Sequence, residues 1–182
     1  MSASATPTPL TDLALVAAYR SGDEQAATEL VRRHAAAIGR FLYSSGAGPS
    51  EIDDLVQETF FRAFRRLDSW RAEASFRSWL FTISGNLLRD EFRKQKGRRM
   101  LPLEDHDLPD RADPHADLMA KEAGERLRQG LARLPRLQRE VFLLRVQEGV
   151  DYPQIAAALG TTPGAARVHY HHAVKRLKEL ME

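Results

Sequence analysis

Asp53, Asp54, Gln57 and Glu58 crowd three carboxylates and one amide into about one and a half helical turns. Such a group can serve acid–base chemistry, hold a divalent cation or dock a protein surface. It can also be no more than favourable charge at a helix start. A second group is the run Trp70-Arg71-Ala72-Glu73-Ala74-Ser75-Phe76, which mixes rings, a guanidinium and short polar groups. That mixture suits unpaired nucleic-acid bases, which stack on rings or enter pockets. Phe76 and Trp79 sit at core spacing, which leaves Trp70 and the polar loop atoms as the contact candidates. A third group lies near the C-terminus, where residues 163–178 contain no acid and nothing repels phosphate. His169, His171 and His172 fall in that run. His169 and His172 are three apart, but no carboxylate is near them in sequence, so metal ligation is not expected. No phosphate-binding glycine loop, nucleophile elbow or His-Glu-x-x-His pattern occurs. Neither a catalytic residue nor a cofactor is expected.

Helices must position these groups, because nearly every segment has helical periodicity. Thr11 or Asp12 can cap a first helix through Arg20, and Ser21-Gly22 breaks it. Asp23 starts a second, whose face is Ala27, Leu30, Val31, Ala35, Ile38 and Leu42. After a loop at 44–49, Ser50 is placed to cap a third helix with the stripe Ile52, Leu55, Val56, Thr59, Phe60, Ala63, Phe64 and Leu67. Its acids lie off that stripe near the start, and Arg62, Arg65 and Arg66 near the end, as the helix dipole favours. Ser75 can cap a fourth helix running to about residue 96, buried through Phe76, Trp79, Leu80, Ile83 and Leu87 and ending in Arg89, Arg93, Lys94, Lys96, Arg98 and Arg99. Helix resumes over about 117–134. Pro135 opens the next, which packs through Leu137, Val141, Phe142, Leu144 and Val146 and ends at Gly149. Pro153 starts a short helix with Ile155, Ala156 and Leu159, and Gly160 supplies the turn. Thr161 or Thr162 caps the last helix, with Pro163 at its first position. Its inward row is Ala166, Tyr170, Ala173 and Leu177, so Arg167, Val168, His171 and Lys175 point outward. A short helix, a glycine turn and a second capped helix make a helix-turn-helix.

The net charge of +2 hides an uneven distribution. Glu104, Asp105, Asp107, Asp110, Asp113 and Asp117 face only Arg111 across 102–117, whereas the chain after that strip is basic. Residues 97–116 also hold three prolines and read as an extended linker. The chain contains no cysteine, which excludes disulfides and fits a reducing cytoplasm. No apolar run approaches the roughly 20 residues of a membrane span. The first nine residues are small and polar and lack the pattern of a signal peptide.

In this order the motifs resemble those of the sigma-70 family of RNA polymerase sigma factors. Residues 51–60, EIDDLVQETF, are similar to region 2.2, and residues 76–90, FRSWLFTISGNLLRD, to regions 2.3 and 2.4. Residues 134–144, LPRLQREVFLL, resemble region 4.1, and 152–177 resemble region 4.2. With no room for region 1.1 or a folded region 3, the layout resembles the extracytoplasmic-function (ECF) group. The resemblance implies that Asp53, Asp54, Gln57 and Glu58 dock on the β′ clamp helices of core polymerase, with the β flap as a further contact. It implies that the loop at 70–75 captures a base flipped from the −10 element, through Trp70, Arg71, Glu73 and Ser75, beside Asn86, Arg89 and Arg93. It assigns the −35 element to Thr162, Pro163, Gly164, Arg167, Val168, His171 and Lys175. Three features depart from the family pattern: His169 and His172 where a basic residue is usual, Val168 where serine is frequent, and Gly85 where a side chain is common.

The expected protein is all-α, with a disordered tail at 1–9, a region 2 domain at 10–97, an acidic linker at 98–117 and a region 4 domain at 118–182. It would be a cytoplasmic, non-enzymatic ECF-type sigma factor that binds core polymerase and promoter DNA, both duplex and melted. An anti-sigma factor is an expected partner, and membrane insertion is not. A duplex-binding helix-turn-helix regulator acting without polymerase would explain the C-terminal half alone. A metal hydrolase or a helical interaction protein without nucleic acid fits the residue pattern less well.

Overall fold

The computed structural model describes residues 10–98 and 118–181, and every regular element among them is helical. The expected N-terminal tail and the acidic strip lie outside the described residues. In the first half, α1 (Asp12–Arg20) and α2 (Glu24–Ser44) begin at Thr11 and Asp23, whose side chains accept from the N–H groups of Ala14 and Gln25. Gly22 between them takes a φ of 102°, which a residue with a Cβ adopts at a cost. The core face of α2 is centred elsewhere than the expected row. Ala26, Leu30, His34, Ala37, Ile38, Phe41 and Leu42 are buried, and Ala27, Val31 and Ala35 flank them half-buried. The row turns because α2 is covered by α1 on one side and by the later helices on the other. Burying His34 requires a partner, and its Nε2 lies 2.7 Å from Asp12 Oδ2 of α1.

Ser50 is not the cap of the third helix. Pro49–Glu51 forms a single 3₁₀ turn, and the Glu51 carboxylate reaches back to accept from Gly48 N–H at 3.0 Å. The helix therefore engages its chain one turn earlier, and α3 runs from Ile52 to Arg65. Its apolar stripe is as expected: Leu55, Thr59, Phe60 and Ala63 are buried, with Ile52, Val56 and Phe64 beside them. After a 3₁₀ turn at Leu67–Ser69, α4 (Phe76–Arg98) extends two residues past its expected end.

In the second half, α5 (Leu118–Ala132), α6 (Arg136–Val146), α7 (Tyr152–Leu159) and α8 (Pro163–Met181) pack around one another. The inward row of α6 is Glu140, Val141, Leu143 and Leu144, whereas Val146 stands 53% exposed. That corrects the expectation for Val146: α6 ends there, and the chain leaves toward Gly149 with nothing above the side chain to cover it. Asp151 caps α7 by accepting from Gln154 N–H. Gly160 ends it at φ 65°, and Thr162 caps α8 by accepting from Ala165 N–H.

The two halves touch. α7 lies along α4, while α5 and α6 reach α2, so the buried apolar side chains form one continuous cluster. This is why α4 buries more than its expected stripe. Ser78, Phe81, Ser84, Gly85 and Leu88 are buried together with Phe76, Leu80 and Leu87. Phe81 meets Phe41 of α2 edge-on at 5.3 Å. A Cβ at Gly85 would lie 3.9 Å from the Ala158 carbonyl of α7, an ordinary contact, so α7 packs directly over this position.

Candidate functional site

Three surfaces carry the candidate residues. On α3, Asp53, Asp54 and Gln57 are exposed and Glu58 is half-exposed, paired with Arg62 one turn on at 2.6 Å. The stripe that packs α3 faces the other way, so the acids cost the core nothing. The sequence pattern passed over Phe61, which follows Gln57 by four residues and stands 54% exposed on the same side. The Arg65 guanidinium covers its ring at 5.4 Å. A large exposed ring beside an acidic patch suits a protein contact. The only sequence signal for it is that Phe61 falls between the two core phenylalanines.

The second surface is the loop between Trp70 and α4. Arg71, Ala72 and Glu73 are exposed, and Ala72 holds a φ of 58° without being glycine. Such backbone strain is found where the surroundings hold a loop in shape. Trp70 does the holding. The ring is 7% exposed, packs edge-on against Phe76 at 5.5 Å, and its Nε1–H donates to the Ala74 carbonyl at 3.1 Å. This corrects the expectation that the Trp70 ring is free for stacking: burying an indole is strongly favourable, and its one donor is satisfied across the loop. The Ser75 hydroxyl is also committed. It accepts from Ser78 N–H at 3.1 Å as the cap of α4 and donates to Ser78 Oγ at 2.9 Å. Phe76 is core, and Trp79 is half-buried against it. Further along α4, Asn86 and Arg93 are exposed, with Arg93 paired to Asp90. Arg89 is half-buried, bound to Asn86 and donating to the Leu159 carbonyl of α7 at 3.2 Å.

The third surface is α8. Ala166, Ala173 and Leu177 are buried and Tyr170 half-buried, which leaves Thr162, Pro163, Gly164, Arg167, Val168, His171 and Lys175 exposed in one region. Arg167 rests 5.3 Å over the Tyr152 ring, which orients it without consuming its donors. His172 is exposed, and His169 is half-buried with a buried Nδ1 that has no hydrogen-bond partner. Among the described residues no three His, Asp or Glu side chains are grouped to hold a metal ion.

Buried charge sits between these surfaces. Burial pushes the Glu140 carboxyl above its usual range, against the pull of Arg136, Arg89 and Arg139. Burial likewise lowers the pKa of Arg139, opposed by Glu140.

A family model described as Sigma-70 region 2 matches residues 30–98, and one described as Sigma-70, region 4 matches residues 124–177. The chain belongs to the sigma-70 family. It is 34% identical to RNA polymerase sigma factor NccH of Alcaligenes xylosoxydans xylosoxydans over 96% of both chains. It is also 34% identical to ECF RNA polymerase sigma factor SigF of Caulobacter vibrioides over 78% of this chain and 76% of that one. Most of α5 with α6, α7 and α8 is thus region 4 of an ECF sigma factor, the helix-turn-helix of α7 and α8 included, and most of α2 with α3 and α4 is its region 2. Among solved structures, the sigma factor is similar to CnrH in complex with the cytosolic domain of CnrY, with a TM-score of 0.70, 29% identity and coverage of 93% and 96% of the two chains. It is similar also to the sigma factor RpoE of Bartonella quintana, solved with the anti-sigma factor NepR, with a TM-score of 0.68, 25% identity and coverage of 85% and 95%. A regulator that works without polymerase is not favoured, because region 2 is matched as well as region 4. Among the described residues no helix is long and apolar enough to cross a membrane.

Proposed function

We propose that this ECF sigma factor divides initiation among its three surfaces. The acidic start of α3, with Asp53, Asp54, Gln57 and Glu58 around Phe61, docks on the β′ clamp helices. The strained loop at 71–75 holds a base flipped from the −10 element, with Trp70 acting as its buried anchor, while Asn86, Arg89 and Arg93 meet the adjoining backbone. On α8, Thr162, Pro163 and Gly164 bring the helix start to the phosphates. Arg167, Val168 and His171 reach base edges of the −35 element, and Lys175 meets phosphate further along. The protein performs no covalent chemistry of its own. It works in the cytoplasm with core polymerase, whose β flap meets the second half, and an anti-sigma factor restrains it.

The supporting observation is the combination in one chain of a recognition helix with no acid over residues 163–178 and one face open, and an exposed acidic helix that a duplex-binding module has no use for. Transcription by core polymerase plus this protein on genomic fragments, with start sites mapped, tests the reading. Asp54→Arg is expected to abolish most core binding in a pull-down with the helix intact, since charge reversal at an interface costs on the order of several kcal/mol. Replacing Arg71 and Glu73 with alanine is expected to spare core binding and closed complexes. It should lower the permanganate reactivity of −10 thymines on a duplex promoter, and a pre-melted template should not restore full transcription. Full activity of that double variant on such a template would remove base capture from the loop.

A further inference from the structure

α1 ends before the first residue that matches region 2, yet it reaches the loop at 71–75 by two routes. The first runs through a buried histidine. His34 Nε2 of α2 lies 2.7 Å from Asp12 Oδ2 at the start of α1. Arg33, next to it, donates to Asp12 Oδ1 at 3.3 Å and to the Leu10 carbonyl at 2.5 Å, so two consecutive residues of α2 hold the start of α1. The His34 ring stands 5.9 Å from the ring of Phe76. Phe76 meets the Trp70 ring edge-on, and Trp70 Nε1–H spans the loop to the Ala74 carbonyl. The second route leaves the other end of α1. Tyr19 packs its ring 5.0 Å from Phe64 of α3, and Arg20 beside it donates to the Leu67 carbonyl at 2.6 Å. Leu67 opens the 3₁₀ turn that delivers Trp70. Asp68 of that turn is exposed and 3.8 Å from Arg20, so the carbonyl, more than the ion pair, holds the guanidinium.

Apolar packing alone requires neither polar contact. A leucine at position 34 would fill the space but would leave Asp12 without its imidazole and Phe76 without a neighbour of fixed orientation. A buried polar pair that is satisfied fixes one arrangement of the groups around it. The loop needs such support. Ala72 sits at φ 58° without being glycine, and a strained backbone persists only where its surroundings hold it. A contact made from a loop weakens when the shell behind it loosens by about 1 Å.

We infer that α1 is a brace for the loop at 71–75, and that Asp12, His34 and Arg20 are positioning residues for base capture, acting through Phe76, Trp70 and Leu67. That the loop captures a base rests on the function proposed above; the brace itself does not.

The test uses the full-length chain. In a Trp79→Phe background Trp70 is the only indole, and acrylamide quenching of its emission reports how firmly the loop is held, without polymerase or DNA. His34→Leu and Arg20→Ala are each expected to raise quenching. With core polymerase, either variant should bind a single-stranded oligonucleotide carrying the non-template −10 sequence of a mapped promoter on the order of tenfold more weakly, the scale of one hydrogen bond. Affinity for core itself should stay as it was. Arg20→Lys keeps a donor for the Leu67 carbonyl and should bring both readouts back toward those of the natural chain. Unchanged quenching in either variant overturns the brace. An equal loss of core affinity also overturns it, because a first half that had only loosened would lose both contacts together. Raised quenching with the oligonucleotide still bound normally is resolved by the double alanine variant of Arg71 and Glu73. If that variant binds weakly, the positioning role is overturned; if it too binds normally, base capture by the loop falls and the brace stands.

Discussion

α4 and α8 are both long basic helices that carry the proposed DNA contacts, yet their surfaces are arranged differently. α8 packs through one row, Ala166, Tyr170, Ala173 and Leu177, and leaves the opposite face in solvent. Over 76–95, α4 leaves only Asn86, Arg93 and Lys94 fully exposed, because α2 and α3 cover one side and α7 another. A recognition helix that reads duplex can sit at the edge of its domain. A helix that also carries the packing of two halves shows its polar groups only where no neighbour stands. The same residue type therefore means different things: Arg167 is free to meet a base, whereas Arg89 already has a carbonyl.

The sharpest test of this contrast is to remove one side chain from each helix. Phe81→Ala in α4 is expected to destabilise the fold by about 3–5 kcal/mol, as a fully buried ring meeting another helix should. Val168→Ala in α8 should stay within about 0.5 kcal/mol. Denaturant midpoints measure both, and comparable losses would mean that α8 is not the open helix described. Next in size is DNA binding along α8. Arg167→Ala should cost about 1–3 kcal/mol and relax preference at one base pair of the −35 element. Lys175→Ala should weaken all sequences alike and reduce the salt slope by about one. Equal losses on every duplex for both variants would remove Arg167 from base reading.

Gly160→Ala places a Cβ at φ 65° in the turn joining α7 to α8, and should cost roughly 1 kcal/mol of stability. The smallest effect is a pH dependence. Burial raises the Glu140 pKa above its ordinary 4.5, so the folded state holds that proton more tightly than the unfolded chain. The resulting stability is present below pH 4.5 and is lost as pH rises through the folded value. Glu140→Gln has no such loss, so its advantage over the natural chain should grow from acid toward neutral pH in urea titrations. Glu29 runs the other way. Its bonds to Arg32 and Arg33 lower its pKa to about 2, so its contribution is present above 4.5 and fades as pH falls toward about 2.

Much of the site was legible because helical surfaces repeat locally. The α3 stripe, Gly160, the Thr162 cap and the inward row of α8 follow from spacing within a few turns, and each depends on its own helix. His34, Glu140 and Glu148 were not legible in that way. Polar residues on an apolar face read as interruptions until their partners arrive: Asp12 for His34 and Arg77 for Glu148 come from other helices with no pattern to announce them, and only Arg136 stands at helical spacing from its partner, Glu140. Trp70 was misplaced for a related reason. A tryptophan beside polar residues looks exposed, and only the backward bend of its loop brings the Ala74 carbonyl to its ring nitrogen.

The sequence by itself determined that this chain is helical, where most of its helices begin and end, and which motifs make it a sigma factor, because capping, periodicity and turn chemistry act over a few residues. Only the tertiary structure decided that α4 is buried on a second side and that Arg77, Ser78 and Arg89 have partners in region 4. Those contacts join residues about seventy positions apart, at 77–148, 78–154 and 89–159, and a long-range pairing leaves no periodic trace in either segment, since it depends on how two finished surfaces meet.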